Sequence, residues 1–289
     1  MRRKDDYHLV DPTWCPGCGL YGIFAALKKA SVTLDMDPDH LVIVTGIGCH
    51  GRFNNYFKCY GFHALHGRAL PVASGARLAN QKLTVVAVSG DGDAYAIGLG
   101  HFIHAIRRNI NMTYIVVDNR IFALTQGQTS PTSQRGFVSI STPYGSIETP
   151  INGIQLALAS GGTFVARGFS GDPNHLAELL VKGIQHEGFS LVEVLSPCVT
   201  HNKIITYEWF KKNIEKIDAD PDYDCRNKIR AWERLAREGK IPYGLIYQEK
   251  RPSFEGLASL SKKPLVAEDI RVDAARLNKI LDTFNLDNS

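Results

Sequence analysis

The feature that most constrains the fold is an apolar, β-branched run, residues 83–89 (LTVVAVS), that ends directly on Gly90-Asp91-Gly92-Asp93. A continuous apolar run of this length is typical of a strand that is buried on both faces of a parallel sheet. The glycines permit a tight turn and let backbone N–H groups approach an anion closely. Residues 96–108 are predicted to be helical, and the N-terminus of that helix adds its positive dipole at the same point. The sequence therefore predicts a strand–turn–helix unit that binds an anion.

A second buried run, residues 113–117 (TYIVV), leads into Asp118 and Asn119, and Asn119 stands 28 positions after Asp91. Because the carboxyl ends of parallel strands meet at one edge of a sheet, we expect Asp91 and Asn119 to lie close together. One carboxylate and one amide oxygen suit a hard cation such as Mg²⁺, which would itself hold a pyrophosphate. The alternative for Asp118-Asn119 is an ordinary turn at the end of a strand.

Cysteines form the second informative group. Six cysteines in 289 residues are too few for a disulfide-stapled secreted fold, and no signal peptide or long apolar span is visible, so we expect a cytoplasmic protein. Cys15 and Cys18 form a C-x₂-C knuckle, whereas Cys49 and Cys198 each follow a predicted strand and so reach the same sheet edge. On spacing alone zinc and an iron–sulfur cluster are not separable, and a redox pair is disfavoured because no strand precedes the knuckle. Two cysteines lack such context and are expected to be ordinary thiols: Cys59 and Cys225.

Six motifs together resemble the β subunits of 2-oxoacid:ferredoxin oxidoreductases, in the order of that family and over residues 14–247. They are W-C-P-G-C-G, G-I-G-C, L-H-G-R-A-L-P, G-D-G-D, D-N-x-I-x-x-L-T-x-G-Q and S-P-C. The resemblance implies thiamine diphosphate (ThDP) held through Mg²⁺ by Asp91, Asn119 and the backbone carbonyl of Ile121. It also implies a 4Fe–4S cluster on four cysteines: Cys15, Cys18, Cys49 and Cys198.

The resemblance assigns roles to further residues. Leu124 is implied to hold ThDP in its bent shape, and Thr125 and Gln128 to line the diphosphate end. Where the family commonly has Lys three residues after the third cysteine, this chain has Arg52. Its guanidinium would bind the substrate carboxylate, or alternatively pair with an acid or contact a partner subunit. The matched motifs add five residues to the expected cofactor site: Gly48, His66, Gly90, Gly92 and Asp93.

The resemblance also implies the reaction. ThDP would stabilise the carbanion left when a 2-oxoacid loses CO₂, the cluster would pass electrons to ferredoxin, and coenzyme A would collect the acyl group. In this family an α subunit, or a fused γ–α subunit, supplies the Glu that activates ThDP, so a hetero-oligomer is expected. The forms L-H-G-R-A-L-P and L-T-x-G-Q-x-S-P-T-S favour the 2-oxoglutarate or broad-specificity branch over strict pyruvate enzymes. Two alternatives remain: a ThDP-dependent non-oxidative decarboxylase or synthase with structural, zinc-binding cysteines, and a non-catalytic electron-transfer module.

Alternating strands and helices predict an α/β fold with a doubly wound, mostly parallel sheet. The predicted strands lie near residues 41–45, 83–88, 113–117, 163–166 and 190–195. The predicted helices lie near residues 19–30, 70–80, 96–108, 152–160 and 174–186. Residues 1–208 are expected to form the ThDP- and cluster-binding domain, and 209–289 a helical or irregular C-terminal extension that packs against another subunit. The net charge of +4 without a basic stripe argues against a nucleic-acid partner, and no segment suggests a membrane one.

Overall fold

The buried runs assemble into one large sheet, and the amphipathic segments between them form helices. A computed structural model describes residues 2–258, 264–267, 271 and 273–284. The strands are β1 Leu41–Thr45, β2 Tyr60–His63, β3 Thr84–Gly90, β4 Met112–Asp118, β5 Ile121–Phe122, β6 Gln128–Thr129, β7 Phe164–Phe169, β8 Phe189–Leu195, β9 Ile214–Lys216 and β10 Ile241–Gln248. The α-helices are α1 Gly19–Thr33, α2 Phe53–Tyr56, α3 Ala69–Ala79, α4 Leu99–Arg108, α5 Gly153–Ala159, α6 Pro173–Gln185, α7 Tyr207–Asn213, α8 Lys228–Ala236, α9 Phe254–Leu257 and α10 Ala274–Asp282.

The sheet has eight strands in the order β2-β1-β3-β4-β8-β7-β10-β9. Its first six strands are parallel to their neighbours, β10 runs antiparallel to β7, and β9 is parallel to β10. The parallel strands therefore end at one edge, where their connecting loops form a common surface. Strands β5 and β6 form a separate antiparallel pair beyond that edge. The predicted doubly wound, mostly parallel α/β fold is confirmed.

The sheet separates two hydrophobic cores because alternate side chains of each strand point to opposite faces. In β4, Ile115 and Val117 pack on the side of α1 and α6. Tyr114 and Val116 of the same strand pack on the side of α3 and α4. Every residue of β4 and β8 is buried, as the apolar run within β4 predicted for that strand. Each fully buried aliphatic or aromatic side chain stabilises the fold by about 1.5–3 kcal/mol.

The predicted central elements agree closely with the structure, and the differences have local causes. Helix α6 begins at Pro173 after Asp172, whose side chain accepts the N–H of His175 as an N-cap. The helix predicted from residue 96 begins at Leu99 instead, because a π-helical turn, Asp93–Ile97, precedes it. Strand β2 was not predicted, because its four residues are all exposed and show no burial pattern.

Strands β9 and β10 lie beyond residue 208, where the sequence analysis expected an extension outside the α/β domain. Both join the main sheet, and Ile246 and Tyr247 of β10 are buried in the core. The sequence of β10 contains Pro242 and Gly244 and lacks the regular alternation of apolar and polar residues from which a strand is predicted. Part of the expected extension, residues 259–263, 268–270, 272 and 285–289, lies outside the described residues. None of the described helices is long and apolar enough to cross a membrane.

Candidate active site

Two cavities at the carboxyl edge of the sheet share a wall. The first, of about 190 Å³, is bordered by Asp91 and is called the Asp91 cavity below. The second, of about 260 Å³, is bordered by Cys15, Cys18, Cys49 and Cys198 and is called the cysteine cavity. Six residues line both cavities: Leu20, Cys49, Val117, Asn119, Ala123 and Leu124. The two sites expected from the sequence are therefore contiguous.

Asp91 lies in the turn after β3, and only 2% of its surface is exposed. Its Oδ2 accepts hydrogen bonds from Ser130 Oγ at 2.5 Å and Thr132 Oγ1 at 2.6 Å; neither hydroxyl residue was identified from the sequence. The Thr132 hydroxyl also lies 2.8 Å from Asp118 Oδ1, so it stands between two carboxyl groups. Burial raises the pKa of Asp91 to about 7, and the charge of Asp118 adds to this rise. A divalent cation at Asp91 would offset both effects, because it supplies the missing positive charge.

The loop that follows β4 carries the other two expected Mg²⁺ ligands. Asn119 lines both cavities, and Ile121 lines the Asp91 cavity. The Ile121 N–H donates to Asn119 Oδ1 at 3.1 Å, and Ser133 Oγ donates to the Arg120 carbonyl at 2.6 Å. Arg120 has a φ of 60°, in the left-handed region that non-glycine residues seldom adopt. Hydrogen bonds therefore hold the loop in a strained shape, as is frequent at ligand sites.

The donors around the Asp91 cavity fit Mg²⁺ bound to a diphosphate. Asp91 and Asn119 supply hard oxygen ligands, and the Ile121 carbonyl would be a third of the same kind. Gly90 and Gly92 border the same cavity. Because glycine has no side chain, an anion in the cavity can come close to the backbone N–H groups there. A Cβ at Gly92 would lie 2.2 Å from the Phe122 ring, so only glycine fits there.

Asp93, expected at the cofactor site, directs its carboxylate to the protein. Its Oδ1 accepts the backbone N–H groups of Gly67 at 2.7 Å and Ile47 at 3.2 Å, and its Oδ2 accepts the Ser89 hydroxyl at 2.5 Å. His66 Nδ1 lies 2.9 Å from Oδ1, which is an ion-pair distance without hydrogen-bond geometry. Asp93 therefore joins three segments of the cavity wall, and both Asp93 and His66 border the cavity.

His50 is a cavity residue that the sequence analysis did not identify. The Gly90 N–H donates to His50 Nε2 at 3.1 Å, and the side chain borders the Asp91 cavity. A Cβ at Gly48, which also borders the cavity, would lie 2.6 Å from His50 Cε1, so this glycine makes room for the ring. Burial lowers the pKa of His50 to about 4, which keeps the imidazole neutral. The only sequence signal is its position next to Cys49, because Gly90 is 40 residues away.

The four cysteines of the cysteine cavity influence one another electrostatically. Cys198 is buried, Cys18 and Cys49 are half-buried, and Cys15 is exposed. Burial raises the pKa of Cys18 to about 11, and repulsion from the other three thiolates adds to the rise. Trp14 Nε1 donates to the Cys49 carbonyl at 2.8 Å, which ties the C-x₂-C segment to the loop after β1. A bound cationic group would offset the mutual repulsion and keep the thiolates charged.

Sulfur donors of this kind fit zinc or an iron–sulfur cluster. In the part of the chain that the structure describes, no three His, Cys, Asp or Glu side chains are grouped as ligands of a single metal ion.

The other two cysteines lie elsewhere. The Cys59 thiol donates to the Tyr60 carbonyl at 3.3 Å, and Cys225 borders a separate cavity beside His175. The structure thus brings the four expected cysteines to one cavity and leaves the other two apart.

Arg52 borders the cysteine cavity and forms no ion pair with an acid among the described residues. Its Nη1 donates to Thr13 Oγ1 at 2.9 Å and lies 3.4 Å from the Tyr56 hydroxyl. These neutral partners leave the positive charge of the guanidinium uncompensated at the mouth of the cavity. That charge is available to an anionic ligand.

The segment after the loop that follows β4 supplies an apolar side chain and a polar pair. Leu124 is 56% exposed and borders both cavities. Thr125 borders the Asp91 cavity, and its hydroxyl donates to Gln128 Oε1 at 2.6 Å. Gln128 does not border that cavity, so it reaches the site through Thr125.

Comparisons with known proteins show which family this chain resembles. Residues 46–194 match the thiamine pyrophosphate enzyme, C-terminal TPP binding domain, and residues 198–263 match the C terminal of the pyruvate ferredoxin oxidoreductase beta subunit. A 2-oxoacid:ferredoxin oxidoreductase subunit beta from Sulfolobus sp. is 45% identical over 255 residues, which are 84% of each chain. A 2-oxoglutarate synthase subunit KorB from Methanocaldococcus jannaschii is 36% identical, over 86% of this chain and 93% of that one. A solved 2-oxoglutarate:ferredoxin oxidoreductase from Magnetococcus marinus, with 2-oxoglutarate, coenzyme A and succinyl-CoA bound, has a TM-score of 0.90 at 38% identity, over 96% of each chain.

Proposed function

Because this chain belongs to the β subunits of 2-oxoacid:ferredoxin oxidoreductases, we propose that it carries the ThDP and cluster sites of an enzyme that converts a 2-oxoacid to acyl-CoA and CO₂. The observation that supports this most directly is the wall shared by the Asp91 cavity and the cysteine cavity. A diphosphate cofactor in one and a redox cluster in the other would be adjacent. When bound, ThDP stabilises negative charge as CO₂ leaves, and a 4Fe–4S cluster carries electrons singly towards ferredoxin.

The donor atoms of each residue indicate which group it would bind. Asp91, Asn119 and the Ile121 carbonyl hold Mg²⁺, and the backbone around Gly90 and Gly92 accommodates the diphosphate. The four thiolates of the cysteine cavity hold the cluster. Leu124, which borders both cavities, would hold ThDP in its bent shape.

Arg52 would supply the positive charge that binds the carboxylate of the substrate. Its guanidinium at the mouth of the cysteine cavity forms two parallel hydrogen bonds with a carboxylate, a geometry that Lys cannot provide. Relatives named for 2-oxoglutarate support 2-oxoglutarate as the substrate to test first, with pyruvate second.

The enzyme would need partner subunits, as expected of a β chain in a multi-subunit oxidoreductase. In the described part of the chain, the acids that border the Asp91 cavity are Asp91 and Asp93. The first is assigned to Mg²⁺ and the second bonds to the protein, so the Glu that activates ThDP would come from the α subunit. Residues 209–289 are proposed to contribute to the interface with that partner. The net charge of +4 suits an acidic ferredoxin, and the unpaired thiols suit the reducing cytoplasm.

The test is anaerobic purification of the chain together with its partner subunit. We expect a brown protein with one ThDP and at least four irons per β chain, as implied for a 4Fe–4S cluster on this chain. It should reduce a viologen dye when coenzyme A and 2-oxoglutarate are added. The lone chain is the matched control and should be inactive. A colourless protein containing zinc, or one without ThDP, would contradict the proposal.

A further inference from the structure

A third cavity, of about 420 Å³, lies where strands β4 and β8 end and is called the Arg120 cavity below. None of the described residues that line it borders the Asp91 cavity or the cysteine cavity, so it is a separate space. Its lining carries four cationic and two acidic side chains: Arg120, Arg167, Arg237, Lys240, Asp118 and Glu193. With both acids ionised, the cavity has an excess of two positive charges.

The guanidinium of Arg120 borders this cavity with almost no partners. The side chain is only 13% exposed, and the guanidinium carbon lies 5.4 Å from the centroid of the Trp209 ring and 5.9 Å from that of Phe210. Its ion-pair partner is Asp118, whose Oδ2 is 3.8 Å from Nε and so beyond hydrogen-bond distance. None of its five N–H groups donates to a described residue, and none of its nitrogens is sealed from solvent. They are therefore available to a ligand in the cavity.

Arg167 offers further donors from a buried position. Its side chain is 7% exposed. Nε donates to Glu193 Oε1 at 2.9 Å, Nη1 to the Pro242 carbonyl at 3.3 Å and Nη2 to Asn152 Oδ1 at 3.5 Å. An arginine side chain has five N–H groups, so two remain after these three bonds. The bonds also fix the guanidinium in one orientation.

The charges of the cavity act on one another. Burial raises the pKa of Asp118, and the positive charges of Arg120 and Arg167 both oppose that rise, so the two guanidinium groups lie near the same carboxyl group. Arg237 and Lys240 are exposed and form no ion pair among the described residues. The two buried arginines thus supply fixed donors, and the two exposed cations supply the uncompensated charge.

We propose that the Arg120 cavity binds a small phosphorylated molecule, whose phosphate accepts hydrogen bonds from Arg120 and Arg167. Planar guanidinium groups bind phosphate oxygens in pairs, and a guanidinium that is already held in place loses little freedom on binding. A phosphate monoester carries a charge of about −1.5 to −2 at pH 7, which matches the excess charge of the cavity. The volume is in the range of ligand sites, about 300–1,000 Å³, so it also holds the organic part of the ligand. The site does not depend on the proposed function.

The test is a calorimetric titration of inorganic phosphate into the complete complex with its partner subunit. The complex is loaded with ThDP, so that the diphosphate site is already occupied. The partner is needed because Arg237 and Lys240 belong to the segment proposed to face it, residues 209–289. We expect one phosphate per β chain, bound more tightly than acetate at the same ionic strength, because acetate carries a single negative charge.

Three variants assign the binding to the cavity. Arg120→Gln should weaken phosphate binding by about 10- to 100-fold, as for the loss of charge-assisted hydrogen bonds. The double variant Arg237→Gln/Lys240→Gln should weaken it by about 2- to 10-fold, as for the loss of two exposed charges. Arg230→Gln is the matched control, because it removes one positive charge from helix α8 outside the cavity, and it should bind phosphate like the wild type.

The ThDP content of Arg120→Gln checks that the neighbouring ligand Asn119 remains in place; if ThDP is lost, the double variant decides. Three results would overturn the inference: no phosphate binding by the wild-type complex, equal affinity for acetate, or losses in the cavity variants no larger than in Arg230→Gln.

Discussion

Replacing Thr132 by valine removes the hydroxyl between Asp91 and Asp118 and keeps the shape of the side chain. Thr132 is buried, and its Oγ1 lies 2.6 Å from Asp91 Oδ2 and 2.8 Å from Asp118 Oδ1. A hydroxyl has one proton, so it cannot donate to both carboxyl groups at once. Burial raises the pKa of both carboxyl groups. In Thr132→Val the two carboxyl groups would face each other with one donor fewer.

The size of the effect follows from the hydrogen bond that is lost. A hydrogen bond to a charged group contributes about 1.5–3 kcal/mol, and loss of a group that orients a metal ligand costs about 10- to 100-fold in metal affinity. Ser130 still donates to Asp91 at 2.5 Å, so the carboxylate keeps one of its two hydroxyl donors. We therefore expect Thr132→Val to weaken Mg²⁺–ThDP binding by about 10- to 100-fold.

The assay is calorimetric titration of ThDP into the apo complex with its partner subunit at a fixed Mg²⁺ concentration. Thr129→Val is the matched control, because it makes the same change in the same segment. Among the described residues, the Thr129 hydroxyl has Ser141 Oγ as its hydrogen-bond partner, at 3.3 Å and near the surface. If the two variants bind ThDP equally well, the Thr132 hydroxyl does not support the Mg²⁺ ligand and the argument is wrong.

Four further predictions test other parts of the molecule. Serine at any cysteine of the cysteine cavity should lower the iron and sulfide content, whereas serine at either remaining cysteine should not; full iron in all four variants would contradict the ligand set. Asn119→Ala should lose ThDP but keep its iron, so normal ThDP content would refute its role as a ligand. Arg52→Ala should raise the KM for the 2-oxoacid by about 10- to 100-fold, because a charge-assisted hydrogen bond to the substrate is lost. Arg52→Lys should recover part of that loss. An unchanged KM in Arg52→Ala would show that Arg52 has a structural role. Arg167→Leu should lower the free energy of unfolding, measured in denaturant, by about 3–5 kcal/mol, because the buried Glu193 loses the positive charge 2.9 Å away and keeps the hydroxyl donor of Tyr95 at 2.7 Å. A loss below about 1 kcal/mol would show that the Tyr95 hydroxyl or a bound proton is enough to compensate Glu193.

The sequence predicted the centre of the sheet better than its margins. A continuous apolar run such as that of β4 can be satisfied only where both faces of the strand are covered, so its burial follows from composition. Strands near the edges of the sheet depend instead on hydrogen bonds to a neighbouring strand. Strand β2 is exposed along its length and is a strand only because β1 lies beside it. Strand β10 contains proline and glycine, and it is held by its antiparallel pairing with β7.

The types and positions of the expected ligands were determined by the sequence, because each of them follows a strand or lies in a short motif whose local geometry places it at the sheet edge. The contacts that orient those ligands were decided only by the tertiary structure. Thr132 and His50 reach their partners across 41 and 40 residues of chain, and no local pattern reports a contact of that kind. Asp93 shows the same limit from within a motif. It borders the cavity as Asp91 does, but its carboxylate accepts the backbone N–H groups of Gly67 and Ile47. Spacing along the chain sets which residues are available at an edge, and packing sets where each side chain points.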